Sequence, residues 1–267
     1  MTRYRQILPT YVLVALFLAL LGACSSEAPE RRYQEGQRTV QPLNQGWKFI
    51  LSEPEALASA PENKWKDVTL PHTWNAKDGQ NGGDDYYRGT GVYQRLLKLD
   101  DNFQGKQLYL HFDGAAISTR VYVNGQVAGN HKGSYGAFRF DVTDLAKPGE
   151  NTLEVHVNNA IEDHVAPLSA DFTFFGGLYR KVRLIATEPI HIDTMDHASS
   201  GVFWSQDSIQ KDRAKIGLRT ALVNHSGKAE TLSVVAQLVA HDGTVASQAV
   251  EEFSLASGQT LSLQMQL

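Results

Sequence analysis

The stretch Val121-Tyr122-Val123-Asn124-Gly125-Gln126-Val127 decides the fold class. Apolar residues alternate with polar ones up to an Asn-Gly pair and resume beyond it. That pair is the strongest short-range hairpin signal, because both turn residues must accept a positive φ. Working outward, Leu108, Leu110 and Phe112 alternate with Tyr109 and His111, and Leu153, Val155 and Val157 alternate with Glu154 and His156. Further on, Leu232, Val234, Ala236 and Leu238 alternate with polar neighbours before Asp242-Gly243, which predicts a second hairpin turn. Turn signals recur at Lys147-Pro148-Gly149 and Ser257-Gly258, and helical periodicity is confined to a turn or two over Glu53 to Ala60. Period two predicts strands that each bury one face. Many short strands without interleaved helices predict an all-β protein built from sandwiches.

The chain divides by composition. Arg3 and Arg5 precede an apolar run from Tyr11 to Leu21, which ends in Leu21-Gly22-Ala23-Cys24. A charged start, a short apolar core and small residues before a cleavage point make an export signal over residues 1–23. The run falls short of the roughly 20 apolar residues that span a bilayer. Its end resembles the bacterial lipobox, which implies that Cys24 is lipidated, becomes the mature N-terminus and anchors an exported protein to a membrane, periplasmic or at the cell surface. Cys24 is the only cysteine, so no internal disulfide can form. Residues 24–40 are polar and without hydrophobic period, a tether. Residues 41–188 suit a jelly-roll-like sandwich that ends near Thr187-Glu188-Pro189, where proline disfavours a continuing central strand. Residues 189–267 are short of the roughly 100 residues of an immunoglobulin-like sandwich. Leu261, Leu263, Met265 and Leu267 alternate to the final residue, so the expectation is an incomplete second sandwich.

The 267 residues are 42% apolar and 20% charged, ordinary values for a globular protein. The net charge of −4 and the lack of a basic stripe with interleaved aromatics exclude a nucleic-acid partner.

Several segments resemble, in order, the sugar-binding domain of glycoside hydrolase family 2, the family of many β-galactosidases, β-glucuronidases and β-mannosidases. These are Leu43-Asn44-Gln45-Gly46-Trp47-Lys48-Phe49, the run from Trp65 through Leu70-Pro71-His72-Thr73-Trp74-Asn75, and Tyr86-Tyr87-Arg88-Gly89-Thr90-Gly91-Val92-Tyr93. Val121 to Gly125 continues through His131 to Tyr135 and Phe138 to Thr143, and the last is Asp171-Phe172-Thr173-Phe174-Phe175-Gly176-Gly177-Leu178-Tyr179-Arg180. Read as residues, Trp47, Trp65 and Trp74 belong to the core, the paired glycines allow close approaches, and Arg180 holds a turn.

The resemblance implies a β-glycosidase whose first domain shapes one side of the active site. It singles out Asp171, six residues before Gly177, as a carboxylate that positions the terminal sugar or a monovalent cation beside it in the complete enzyme. The alternative is a loop aspartate capping local N–H groups. Arg88 and the Asp84-Asp85 pair lie on a glycine-rich loop bordering the same mouth, with solvated loop charges as the alternative. No other cofactor or metal is implied.

Both catalytic glutamates of that family sit on a later (β/α)₈ barrel, one of them in an Asn-Glu pair, and no Asn-Glu dipeptide occurs here. The alternating strand-helix pattern of a barrel is also missing. H-E-x-x-H, P-loop and G-x-S-x-G patterns are absent, and the nine histidines show no metal-ligand spacing. The chain is therefore expected to work with a C-terminal barrel on a carbohydrate substrate, and not to hydrolyse glycosides alone. A lipid-anchored carbohydrate-binding module and a structural lipoprotein remain the alternatives.

Overall fold

The computed structural model describes residues 38–53, 61–78, 80, 86–166 and 173–267. The export signal with Cys24, most of the tether and all but the first residue of the expected Glu53–Ala60 turn lie outside them. The strands in chain order are β1 (Thr39–Pro42), β2 (Trp47–Leu51), β3 (Lys66–Val68), β4 (Thr90–Leu99), β5 (Gln107–Phe112), β6 (Ser118–Val123), β7 (Gln126–Lys132) and β8 (Phe138–Asp141). They continue as β9 (Gly149–Asn158), β10 (Val182–Thr187), β11 (Ile190–Ile192), β12 (Val202–Ile209), β13 (Ala214–Asn224), β14 (Glu230–Val239), β15 (Val245–Leu255) and β16 (Thr260–Gln266). The protein is all-β, as the periodicity predicts.

A six-stranded antiparallel sheet in the order β3-β2-β4-β9-β6-β7 faces a four-stranded one in the order β1-β10-β5-β8. Several neighbours in these orders, β1-β10, β10-β5 and β4-β9 among them, are far apart in sequence, as jelly-roll winding requires. Leu97, Val121, Val155 and Leu153 from the larger sheet meet Leu110, Phe112 and Leu184 from the smaller, all at 1% exposure or less. Fully burying each such leucine stabilises the fold by about 1.5–3 kcal/mol relative to leaving it in water. Trp47 closes one end and donates its indole N–H to Leu43 O at 2.5 Å, which lets the large ring be buried without an orphan donor.

The hairpin at Asn124-Gly125 forms as expected, with φ of 52° and 78° at the two turn residues. The Asp242-Gly243 turn is wider than a two-residue hairpin: Ala240 N–H donates to Thr244 O at 2.8 Å, and the loop spans 240–244. Strand β10 ends at Thr187, where the sequence places the boundary before Pro189.

One expectation from the periodicity fails informatively. Strand β5 is buried on both faces, because Tyr109 (2%) and His111 (7%) are covered as well. The covering segment is 190–199, which leads into the second group of strands. Arg139 of β8 stands opposite His111 and reaches across: its guanidinium donates to Thr194 O, to Ala198 O at 3.2 Å and to Ser199 O at 3.4 Å. It also donates to His111 Nδ1 at 3.3 Å, while His111 Nε2 meets Asp113 Oδ1 at 3.0 Å. With Nδ1 accepting, the proton sits on Nε2, so the ring is the neutral tautomer. Burial and then the Arg139 and Arg183 charges hold the His111 pKa below its usual value, in agreement. Burial also pushes Arg139 down to about 10, still charged at neutral pH. His197 and Ala198 both take left-handed φ, 51° and 54°, in the segment that offers its carbonyls to this guanidinium. Such non-glycine conformations cost about 1–3 kcal/mol each and persist only where contacts over-determine them.

The second group of strands places β12 and β16 on either edge of β13, with β11 continuing the β12 edge, and forms a separate β14-β15 ribbon. Leu222, Val223, Ala236, Leu255 and Met265 are its buried apolar residues, and buried Asn224 ties the 224–228 turn to Leu255 O at 2.8 Å.

Replacing Arg139 with alanine strips donors from three carbonyls and a ring nitrogen. At about 1–3 kcal/mol per orphaned buried group, the loss in urea-unfolding free energy should be roughly 3 kcal/mol or more. Arg139→Lys should recover less than half, since an ammonium cannot span the same acceptors. A loss below about 1 kcal/mol for the alanine variant would show that the segment is held by other contacts.

Candidate functional site

At one end of the first sandwich three chain segments converge: 70–78 after β3, 86–89 entering β4, and 173–181 before β10. Two buried asparagines join them. Asn75 (1% exposed) accepts the Gly176 N–H at 2.7 Å and the Asn159 side-chain amide at 3.1 Å through the same oxygen. Its own amide donates to Asp78 Oδ2 at 2.5 Å and to Tyr87 O at 3.0 Å. Asn159, fully buried just past β9, donates to Tyr87 O at 3.1 Å and Phe174 O at 3.0 Å, and accepts the Gly89 N–H at 2.9 Å. A carboxamide is the side chain that can do this, having two donors and an acceptor oxygen in one plane.

Trp74 fills the space beneath the clamp. It stacks on Phe49 with centroids 5.8 Å apart and planes 13° from parallel. A Cβ at Gly176 would stand 2.0 Å from the indole, and one at Gly91 would stand 2.4 Å from it. Gly177 adopts φ +120°, and a Cβ there would meet His72 O and the Tyr93 hydroxyl, each at 2.6 Å. The glycines are thus dictated by close approach. Tyr93, buried in the core, hydrogen-bonds His72 Nδ1 at 2.8 Å, and burial pushes its phenol far above the usual range.

The rim above this clamp is aromatic. Tyr86, Tyr135 and Phe175 are exposed, and the Thr173 hydroxyl donates to the Tyr86 hydroxyl at 2.9 Å. A hollow of about 250 Å³ lies beside them, lined by Ile117, Tyr135, Phe174 and Tyr179 among others. Arg88 is half-buried, with its guanidinium 4.5 Å from the Phe174 ring centre. Arg180 donates to Asp113 O and Tyr135 O at 3.3 and 3.4 Å, holding a turn as expected.

Of the residues singled out from sequence, Arg88 lies on this rim. Asp171, Asp85 and Cys24, the residue expected to be lipidated, lie outside the described residues, and so does the place of the cation expected beside Asp171. Among the described residues no group of His, Cys, Asp and Glu is placed to hold a metal. Trp47 is core, while Trp65 and Trp74 are half-buried. Sequence reasoning missed Asn75 and Asn159 as a pair, although Asn75 stands in a quoted motif. Nothing local marks Asn159. Asp78, the carboxylate nearest the clamp, is committed to Asn75 and the Tyr87 N–H. The arrangement holds a shaped, aromatic surface that carries Arg88 and Arg180.

Comparison with known proteins identifies the family of this jelly-roll sandwich. Residues 40–189 match the sugar-binding domain of glycosyl hydrolases family 2, and the chain belongs to that family. It is 39% identical over 203 residues to a β-glucuronidase of Bacteroides fragilis, a match that takes in 76% of this chain and 28% of that protein. It is 30% identical over 227 residues to a β-galactosidase of Thermoanaerobacter pseudethanolicus, covering 80% of this chain and 28% of the relative. The crystal structure of Bacteroides uniformis β-glucuronidase superposes with a TM-score of 0.81 at 36% identity, covering 86% of this chain and 28% of that one. The chain thus spans little more than a quarter of the length of these relatives.

Asn159→Ala leaves the Gly89 N–H and two carbonyls without that partner. The expected loss is about 3 kcal/mol in urea unfolding, with faster proteolysis at 86–89. Unchanged stability and unchanged cleavage would refute the clamp.

Proposed function

We propose that this chain is the N-terminal, non-catalytic part of an exported β-glycosidase, with the clamped loop end forming one side of the active-site mouth. The observation that carries this reading is the Asn75–Asn159 clamp, which draws the loop bearing Arg88 and the segment entering at Thr173 into one rigid rim. A rigid rim is what a binding wall needs, since ordering it beforehand lowers the cost of binding. Hydrolysis itself falls to two glutamates on a C-terminal barrel, acting as acid/base and nucleophile about 5–5.5 Å apart. In this reading Asp171, Arg88 and Asp85 contact the terminal sugar, and Asp171 serves a monovalent cation if one binds there. The similarity to β-glucuronidases favours a β-glucuronide, because Arg88 suits a uronate carboxylate. Cys24 carries the lipid that tethers the enzyme outside the cytoplasm.

The test is a chimera in which this chain replaces the matching portion of the Bacteroides fragilis β-glucuronidase. It should hydrolyse an aryl β-glucuronide, whereas the chain alone should not. Arg88→Ala and Asp171→Asn in the chimera should each raise KM about tenfold or more, the worth of a lost charge-assisted hydrogen bond. An inactive but folded chimera, or turnover by the isolated chain, would overturn the reading. Separately, Cys24→Ala should abolish incorporation of labelled palmitate and release the protein from membranes. Persistence of the label would remove Cys24 as the anchor.

A further inference from the structure

The hold of Arg139 on the 190–199 segment requires one imidazole to stay neutral. The register places His111 of β5 directly between two arginines, Arg139 on β8 and Arg183 on β10. Residues paired across an antiparallel sheet share a face, so the three side chains stand in one row on it. Two guanidinium nitrogens of Arg139, Nε at 3.3 Å and Nη2 at 3.2 Å, donate to His111 Nδ1, which has a lone pair to offer only in the neutral ring. The same guanidinium donates to Thr194 O, Ala198 O and Ser199 O. One ring nitrogen and three carbonyls of the segment thus share a single cation.

A proton added at Nδ1 turns this contact into donor against donor and sets three cations side by side. The surroundings offset little of that. Among the described residues, Asp113 is the one carboxylate in ion-pair contact with the ring, at 3.0 Å, and it already pairs with Arg183. On β8, Asp141 is taken by the Thr143 N–H at 2.9 Å and its hydroxyl at 2.6 Å. In the covering segment, Asp193 accepts the Met195 N–H at 2.8 Å, and Asp196 pairs with His197 at 2.7 Å and Arg219 at 3.6 Å. Arg38, just before β1, bears on Arg139 with like charge. His191 is placed differently, with His225 beyond it at 5.9 Å between ring centres. Its Nδ1 donates to Glu188 O at 2.8 Å and its Nε2 accepts the Tyr109 hydroxyl at 2.9 Å. A proton on that Nε2 still finds the tyrosine oxygen, so the contact that acid breaks is the one at His111.

We propose that His111 is an acid-sensitive latch between the first sandwich and the strands that follow it: its protonation expels Arg139 from the carbonyls of Thr194, Ala198 and Ser199 and frees the 190–199 segment. The segment is ready to move, because the left-handed φ of 51° at His197 and 54° at Ala198 relax once the guanidinium leaves. Burial first, then Arg139 and Arg183, disfavour the charged ring, so latched His111 takes its proton only below the usual value of about 6.5. In the released state the ring meets water and returns toward that value. Release therefore takes up a proton. The latch is complete above about pH 6.5 and weakens as the pH falls through the lower value of the latched state.

The test measures proteolytic cleavage within 194–199 of the full chain from about pH 7.5 down to about pH 5.5, each rate divided by that of an unstructured peptide of the same sequence. The expected result is a rise of about tenfold across that range, the size one coupled proton allows per pH unit. His111→Asn keeps a carbonyl oxygen near the place of Nδ1 and has nothing to titrate, so its cleavage should stay flat with pH. His191→Gln should keep the rise. Nitrogen-15 imidazole signals of the parent chain give a second readout that needs no variant to fold. His111 should titrate below its usual value, and the amide signals of 194–199 should shift with the same midpoint. A flat parent profile, an undiminished rise in His111→Asn, or a rise lost in His191→Gln and kept in His111→Asn would overturn the proposal. So would titration of His111 that leaves the 194–199 amides unmoved.

Discussion

The hydrogen bond between the Asn159 amide and Asn75 Oδ1 is the constraint on which the functional end of the molecule depends. Neither asparagine is reachable by water, so every polar atom they bring inside must be matched by protein. They meet that demand by capturing Gly89 N–H, Gly176 N–H, Tyr87 O and Phe174 O. These groups come from segments 70 or more residues apart, and each is a loop backbone atom that a sheet ladder would not satisfy. The clamp therefore does for three loops what strand pairing does for the sheets. It fixes their backbones while leaving side chains such as Arg88 and Phe175 to face outward.

Packing supports the clamp from below. Trp74 can lie flat on Phe49 only because Gly91 and Gly176 leave no Cβ in its way. The same glycine run brings Gly177 against Tyr93 and His72, so the rim, the indole and the core hydroxyl are contiguous. Disturbing any of them transmits to the rim, because close-packed interiors shift as discrete arrangements and do not deform freely. Glycine pairs, which a sequence presents as flexible, are here among the least replaceable residues.

At the other face, Arg139 turns what would be a solvated sheet surface into an interior. Its guanidinium satisfies three carbonyls of the 194–199 segment and fixes the tautomer of His111. The first sandwich and the strands that follow it are thus joined through polar groups, with Tyr109 and His191 adding a bond at 2.9 Å. A charged bridge of this kind specifies one arrangement, since a displaced segment would leave a buried cation unpaired.

The amino-acid sequence by itself determined the all-β class, the Asn124-Gly125 hairpin, the core alternation in β9, and the family. Each depends on local rules: period-two burial, positive φ at a turn, and motif order. It also marked Arg88, through its place in a glycine-rich motif. Tertiary structure alone decided that Tyr109 and His111 are buried, because that depends on a segment some 80 residues away lying over them. It alone paired Asn75 with Asn159, and it alone set Arg183, His111 and Arg139 in one row. An asparagine after a strand reads as a turn former, and a polar strand residue reads as solvent-facing. Which of them meet is settled by sheet order and register, and these follow from the global burial of apolar surface, which no local pattern encodes.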